Sequence, residues 1–251
     1  MANSRNPSIL AAMAGVTNGD FAKQCLIEGG AGMVTIGGYP IGREMIIASS
    51  KIAQRGRKEF ILHVGREADE ILNETHKIPD LSRLITNLRI NSAKEANHIA
   101  CEFENQLSEK PIIEINAHCQ QPEITQFGGG QGLLQRFDVL ADIISTFQSR
   151  NFKISLKIRG NAINPDFFIP KVNQWQIDFL HIDSYKNKTI GTDLDLLEEY
   201  TMKTNIPIIG NNSVVDITSA QAILTTGALY FSVARAARRN PNIFKALVKH
   251  F

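Results

Sequence analysis

The sequence predicts an α/β fold, a single closed (β/α)8 barrel of the TIM type. Three observations carry this. Short apolar runs bounded by glycine or asparagine recur along the chain, helical patterns separate them, and eight such pairs fill 251 residues. The first run, Ile9 to Met13, ends at Ala14-Gly15-Val16-Thr17. Asn18 can cap a helix from Gly19 to Glu28, which Gly29-Gly30 stops. Met33 to Ile36 is the second strand, followed by Gly37-Gly38-Tyr39-Pro40 and an excursion to about Lys58. Phe60 to Val64 reads as the third strand, closing on Gly65. Helical patterns over Glu67 to Thr75 and Leu81 to Leu107 follow it.

The fourth strand, Pro111 to Asn116, opens the stretch PIIEINAHCQQPEITQFGGGQGLL, around which the other segments are organised. It delivers Asn116, His118 and Cys119 into a loop holding Pro122 and Gly128-Gly129-Gly130, ahead of a helix from Leu133 to Arg150. Lys153 to Ile158 is the fifth strand, with a helix over Pro165 to Gln176. Phe179 to Ile182 is the sixth, with a helix over Thr192 to Lys203. Pro207 to Ile209, the seventh, leads through Gly210-Asn211-Asn212-Ser213 to a helix over Asp216 to Thr226. Leu229 to Val233 is the eighth, and a helix over Arg235 to His250 closes the chain. An open doubly wound sheet is the alternative architecture for the same elements.

Composition narrows the function classes. A hydrophobic fraction of 43% and a charged fraction of 21% are those of an ordinary soluble globular protein. A net charge of +2 makes no global electrostatic case for a nucleic-acid partner, although a local patch stays open. Three cysteines without framework spacing point to a reducing cytoplasm. The N-terminus lacks a basic region followed by a long apolar one, and no run is long enough to span a bilayer.

Several residues read as chemistry. A cysteine just past a strand end, like Cys119, can serve as nucleophile or proton donor; buried in a core it is only a small hydrophobe. His118 could tune it, although adjacent side chains often point apart. No CxxC pair, HxxxH pair or carboxylate cluster indicates a metal site. The loops after strands seven and eight, with Asn211, Asn212, Ala234 and Arg235, occupy the places where barrels commonly hold a phosphate. Ser155, Lys157 and Arg159 alternate along one strand and so share a face, which in a barrel points inward. A charged interior there calls for a ligand or counter-ion. His181 ends the next strand, with Asp183 two residues on.

Taken together, these motifs resemble the dihydrouridine synthase family, FMN-containing barrel enzymes related more distantly to dihydroorotate dehydrogenases. The resemblance runs from Ala11 nearly to the C-terminus. AAMAGVTNGDF is similar to APMAGVTDxxF, and INAHC with GGGQGLL is similar to NxGCP with its glycine-rich turn. SLKIR, IPIIGNNSVVDITSA and ARAARRNPNIF are similar to VKIR, IPVIANGDI and GRAALGNPWIF. The resemblance implies that Met13 and Ala14 offer backbone contacts to the isoalloxazine and that Lys157 binds its electron-rich edge. It further implies that His181, Asn211 and Arg235 lie along the ribityl phosphate, that Asn116 orients flavin or substrate, and that Cys119 protonates the substrate. NAD(P)H would supply the electrons.

Departures accompany the resemblance. The loop reads HCQQP in place of GCP, and the family's HGRT is HIDS, which loses an arginine associated with substrate RNA. His63 stands where a flavin-contacting glutamine is usual, and Asn212 and Ala234 stand where the family has glycine. The chain stops at the last barrel helix, so no helical tRNA-gripping domain is expected. The expectation is an FMN-dependent oxidoreductase that reduces or oxidises a C=C bond, on tRNA or on a small molecule. The alternatives are a dihydroorotate dehydrogenase-like enzyme and a non-redox barrel binding a phosphate ligand. Nothing indicates a protein partner.

Overall fold

The computed structural model of the protein describes residues 6–186 and 191–250. Eight strands form a closed barrel in sequence order, each parallel to its neighbours, with β8 returning to pair with β1. They are β1 (Ser8–Leu10), β2 (Met33–Pro40), β3 (Leu84–Arg89), β4 (Ile112–Ala117), β5 (Ile154–Arg159), β6 (Phe179–Asp183), β7 (Ile208–Asn211) and β8 (Tyr230–Val233). Helices fill the connections. Asn18 caps the first of them as expected, its side chain accepting the N–H of Phe21 at 3.0 Å. No helix among the described residues is long and apolar enough to cross a membrane.

The third strand is a correction. Phe60 to Val64 carries no strand, and Ile61 and Val64 are exposed. The strand is Leu84–Arg89, cut from the stretch expected to be one long helix. That stretch holds a short turn at Leu81–Arg83, the strand, and a helix over Ala93–Gln106 capped by Ser92. The physical reason is a coincidence of periods. Leu81, Leu84, Ile85 and Leu88 fall at the spacing of a helical stripe. Every residue of Leu84–Arg89 is buried, however, so the segment is a two-sided barrel strand whose apolar residues need not alternate. Phe60 to Val64 instead belongs to the long β2–β3 connection, together with the helices over Arg43–Gln54 and Glu67–Thr75.

Strand pairing determines which side chains face inward. Asn116 pairs with Lys157, Lys157 with His181 and His181 with Ile209, while Asn87 pairs with Glu114 and Glu114 with Ser155. Directly paired residues share a face, so these side chains line the interior. The opposite face, with Val34, Leu88, Ile115, Leu156, Ile182 and Phe231, packs into the main core beneath the helices. The interior is divided along its axis. Ile9, Ile85, Ile112, Ile209 and Tyr230, with Met33 and Phe179, form an apolar plug toward the N-terminal ends of the strands. Polar residues occupy the remainder, up to the C-terminal ends where barrel enzymes place their chemistry.

The β2–β3 connection folds back onto that end. Glu59 forms an ion pair with Arg89 at the close of β3, both side chains nearly enclosed. Gly15, in the turn after β1 at φ +67°, lies so close that a Cβ would sit 2.4 Å from the Glu59 nitrogen. Only glycine fits this approach.

Candidate active site

Glu114 lies at the centre of the polar interior and is fully buried. Its carboxylate accepts from Asn87 Nδ2 at 2.6 Å, Ser155 Oγ at 3.0 Å and His181 Nδ1 at 2.6 Å. Because an ionised carboxylate can only accept, His181 carries its proton on Nδ1. Its Nε2 then accepts from Ser232 Oγ at 2.8 Å, and Ser232 Oγ in turn accepts from Asn211 Nδ2 at 2.5 Å. One hydrogen-bond chain therefore runs from β4 through β6 and β8 to β7. Burial and the Lys157 ammonium hold His181 below its ordinary value, against the pull of Glu114, so it is neutral at pH 7. Burial pushes the Glu114 carboxyl up, but His181, Lys157 and Asn87 outweigh it and hold the group at about 2.

Lys157 projects into the same layer and is 5% exposed. Its ammonium acts electrostatically on Glu114, His181, His118 and Asp183. It makes no hydrogen bond or ion pair among the described residues. The inward orientation expected from the alternation of Ser155, Lys157 and Arg159 is the one the strand register produces.

Above Lys157, two strand ends meet across β5. His118 Nε2 lies 2.6 Å from Asp183 Oδ2, and Asn212 Nδ2 donates to Asp183 Oδ1 at 2.9 Å. Arg159 reaches the same carboxylate at 3.6 Å. Burial pushes Asp183 up, but His118, Arg159 and Lys157 together hold it below the usual carboxylate range. For His118 burial is again the largest cause; with Lys157 and Arg159 it lowers the imidazole against the opposing pull of Asp183. Asn116 anchors the loop: its Oδ1 accepts the backbone N–H groups of His118 at 3.2 Å and Cys119 at 3.0 Å. Its Nδ2 donates to Asn87 at 3.0 Å.

Beside this rim a cavity of about 1080 Å³ opens over β5 to β8, lined among others by Arg159, Asp183, Asn212, Ser213, Arg235 and Arg239. Asn211 and Ala234 also border it. Asn212 at φ 129° and Ser213 at φ 52° hold backbone conformations that favour glycine. Such strain in non-glycine residues concentrates at functional loops. Ala234, at φ −116°, needs no glycine. Arg235 begins a short helix and is exposed.

Not every expected residue joins this cluster. Cys119 packs with Met45, Ala48, Ile52 and Ile124 in a separate apolar group, and it does not line the cavity that Arg235 borders. Gly130, whose missing Cβ would fall 3.1 Å from Cys119 Cβ, closes over it. His63, which the resemblance sets in the place of a flavin-contacting glutamine after the third strand, is not at the mouth, because that strand is Leu84–Arg89. It stands on an exposed turn with Nδ1 2.8 Å from Glu70. Asn87, inward on the true β3, takes the corresponding place in the barrel. His181 is enclosed, with both ring nitrogens engaged, and meets the cavity only through Ser232. Met13 and Ala14 lie in the turn after β1, tied by Thr17 Oγ1, which accepts the Met13 N–H at 3.0 Å. Asn87, Glu114 and Ser232 are site residues that the sequence reading passed over. For Glu114 a signal existed, since in IIEIN it shares a face with Asn116. No group of three or more His, Cys, Asp or Glu among the described residues could hold a metal ion.

Comparison with known proteins gives the family of the chain. The family model for dihydrouridine synthase (Dus) matches residues 9–251. An uncharacterised protein of Methanocaldococcus jannaschii is 34% identical, over 90% of this chain and 87% of its own length. The tRNA-dihydrouridine synthase B of Proteus vulgaris is 26% identical, over 98% of this chain and 72% of its own. Among solved structures, a tryptophan synthase complex from Pyrococcus furiosus superposes with a TM-score of 0.62 at 14% identity, covering 97% of this chain and 98% of that one. FabK from Thermotoga maritima does so at 0.54 and 13%, covering 92% and 62%. At such identities the structural likeness speaks for the barrel alone, whereas the family match spans nearly the whole sequence. The chain belongs to the dihydrouridine synthase family, whose members are flavin-dependent oxidoreductases.

Proposed function

We propose that this chain binds FMN at the C-terminal mouth of the barrel and catalyses oxidation or reduction of a C=C bond in a pyrimidine-type ring, with NAD(P)H as the electron donor. The observation that carries the reading is Lys157, a nearly enclosed ammonium with no bonded partner among the described residues, on the same strand face as Arg159, which with Arg235 and Arg239 borders the cavity. An unpaired buried cation costs several kcal/mol, which an electron-rich ligand offsets. The residues fit a phosphate-bearing flavin. Lys157 would receive the electron-rich edge of the ring, and Asn116 and the Met13–Ala14 backbone would flank it. Asn211, Asn212, Ser213 and Arg235 would hold the phosphate, with Ala234 beside them. His181 would act through Ser232. When bound, the flavin exchanges a hydride with the substrate; the protein's part is to orient it, balance its charge and manage the accompanying proton. Cys119 is the proton donor that the family motif implies, and to reach a substrate it must leave its apolar group with the loop over residues 120–130.

Uridine in tRNA is the substrate that the relatives' names supply. A free unsaturated ring is the second reading. It is favoured by Asp183, which sets a carboxylate where the resemblance expects a substrate-binding arginine. Purified protein should be yellow and release FMN on denaturation, and Lys157→Met should lose the colour. Colourless protein that cannot be reconstituted with FMN would count against both redox readings and leave a phosphate-binding barrel. Deletion of the gene separates the substrates: dihydrouridine missing from cellular tRNA supports the first, and unchanged tRNA rules it out.

A further inference from the structure

We propose that Arg89, held in place by Glu59, is a further flavin-binding residue, one that donates a hydrogen bond to the ring from the β3 side of the mouth. This inference rests on the flavin reading above. Neither residue falls in a motif that the family resemblance carries, and neither borders the cavity over β5 to β8. Arg89 closes β3 two residues after Asn87, so it leaves the strand from the same inward face. Around the mouth, the residues given to the ring come from the turn after β1 (Met13 and Ala14), from β4 (Asn116) and from β5 (Lys157). Between the first and the second of these, β3 brings Arg89.

The guanidinium is only partly used within the protein. Nη1 and Nη2 both donate to the Glu59 carboxylate, the second at 3.5 Å. Nε is buried and has no acceptor among the described residues. The Arg89 side chain is 7% exposed and that of Glu59 3%, so bulk water does not satisfy this N–H. An enclosed donor without an acceptor is destabilising and calls for one. Glu59 balances the charge of Arg89, and what Arg89 has left to offer is therefore a directed donor, fitted to a carbonyl oxygen or imine nitrogen of a ring. Lys157, which has no carboxylate bonded to it, supplies the net charge.

The surroundings place this donor at the level of the ring. The β3–β4 register pairs Leu88 with Ile115, and continued by one residue it brings Arg89 level with Asn116, which pairs with Lys157. Asn116 in turn donates to Asn87, the residue below Arg89 on its face, at 3.0 Å. On the other side Glu59 joins Arg89 to the turn that carries Met13 and Ala14. A Cβ on Gly15 would sit 2.4 Å from the Glu59 nitrogen, so that turn rests directly on the backbone that presents the carboxylate. Gly38 of β2 supports it as well, since its missing Cβ would fall 3.2 Å from the Cβ of Ala14. The pair thus locks the flavin-contacting turn to β3 and leaves one N–H of Arg89 for the ring between them.

The test uses the full chain and reads FMN affinity by flavin fluorescence, together with the visible absorption of the bound cofactor. Arg89→Lys keeps a cation for Glu59 but removes the Nε–H and the planar fork. It should fold like the parent and bind FMN about tenfold more weakly, the size of one charge-assisted hydrogen bond. It should also displace the visible bands, which report polar contacts at the ring. Arg235→Ala, at the phosphate end, should weaken binding and leave the bands where they are. If Arg89→Lys does not fold, Glu59→Gln/Arg89→Met, which removes both charges and the donor, takes its place with the same readings expected. A folded variant with the parent's affinity, or one with weakened binding and unmoved bands, overturns this inference and leaves the flavin reading standing. A parent chain that cannot bind FMN overturns both.

Discussion

Replacing Glu114 by glutamine tests the interior on which the mouth rests. The carboxylate holds three buried donors, and Lys157 acts on it electrostatically. Two routes give the size of the effect. Glu114 is held at about 2 instead of 4.5, and at about 1.4 kcal/mol per pH unit this gap corresponds to roughly 3 kcal/mol of stability carried by the ionised form. Glutamine can still accept from Asn87, but it turns an amide N–H toward Ser155 and His181. A buried donor left facing another donor costs about 1–3 kcal/mol. The routes agree on about 3 kcal/mol, a large part of a total of about 5–15 kcal/mol, so Glu114→Gln folds but is clearly weakened. The sign with pH follows from the depressed value. The contribution is complete above 4.5 and is lost as pH falls toward about 2, with roughly half of it gone at pH 3.5. Urea unfolding of both proteins at pH 7 and pH 3.5, read by far-UV circular dichroism and Trp175 emission, measures the gap and its change. A variant within about 1 kcal/mol of the parent at pH 7, or a gap that does not shrink in acid, refutes an ionised Glu114 as the interior's anchor.

Three further outcomes are expected. Lys157→Met should weaken FMN binding at least tenfold, the value of a lost charge-assisted contact of about 1.5–3 kcal/mol; titration by flavin fluorescence checks this, and equal affinity would remove Lys157 from the cofactor site. Arg235→Ala should also weaken FMN binding, and the difference from the parent should narrow as salt is added, because the exposed guanidinium is screened; a salt-independent difference would argue for a structural role. Gln176 is exposed, with φ 51° just past the helix over Pro165–Gln174. Gln176→Gly should therefore raise stability by about 1 kcal/mol in thermal unfolding, and no rise would mean that the left-handed turn is not strained.

The strands that could be read correctly were those whose apolar runs are short and closed by glycine or asparagine, such as Ile208–Asn211 before Asn212-Ser213. Leu84–Arg89 could not. Its apolar residues satisfy both a helical stripe and a strand buried on both faces, and only the pairing of Val34 with Leu84 and Ile85 with Ile112 separates the two. That error displaced the site by one residue: His63 was given the place that Asn87 fills. Lys157 was legible because a cation in an apolar strand with alternating polar neighbours has few places to go. The burial of Cys119 was not legible, because a loop's direction depends on the helix over Arg43–Gln54 that packs against it, far away in sequence.

Read one at a time along the chain, His118, Asp183 and Asn212 each look like the loss of a family feature: a glycine that gives room, an arginine that gives charge, a glycine that frees a backbone. In space they are one construction. A histidine in place of glycine at 118 would leave an imidazole over Lys157 with no acceptor, and an arginine at 183 would supply none and would set a second cation near Lys157. Aspartate at 183 resolves that conflict, and it needs a donor for its second oxygen, which Asn212 supplies at 2.9 Å. Each change is costly alone and tolerable with the other two, the pattern of coupled rather than additive substitutions. A mouth kept polar and hydrogen-bonded in this way is expected of a working site. At its rim a carboxylate, Asp183, stands where the resemblance expects an arginine associated with substrate RNA.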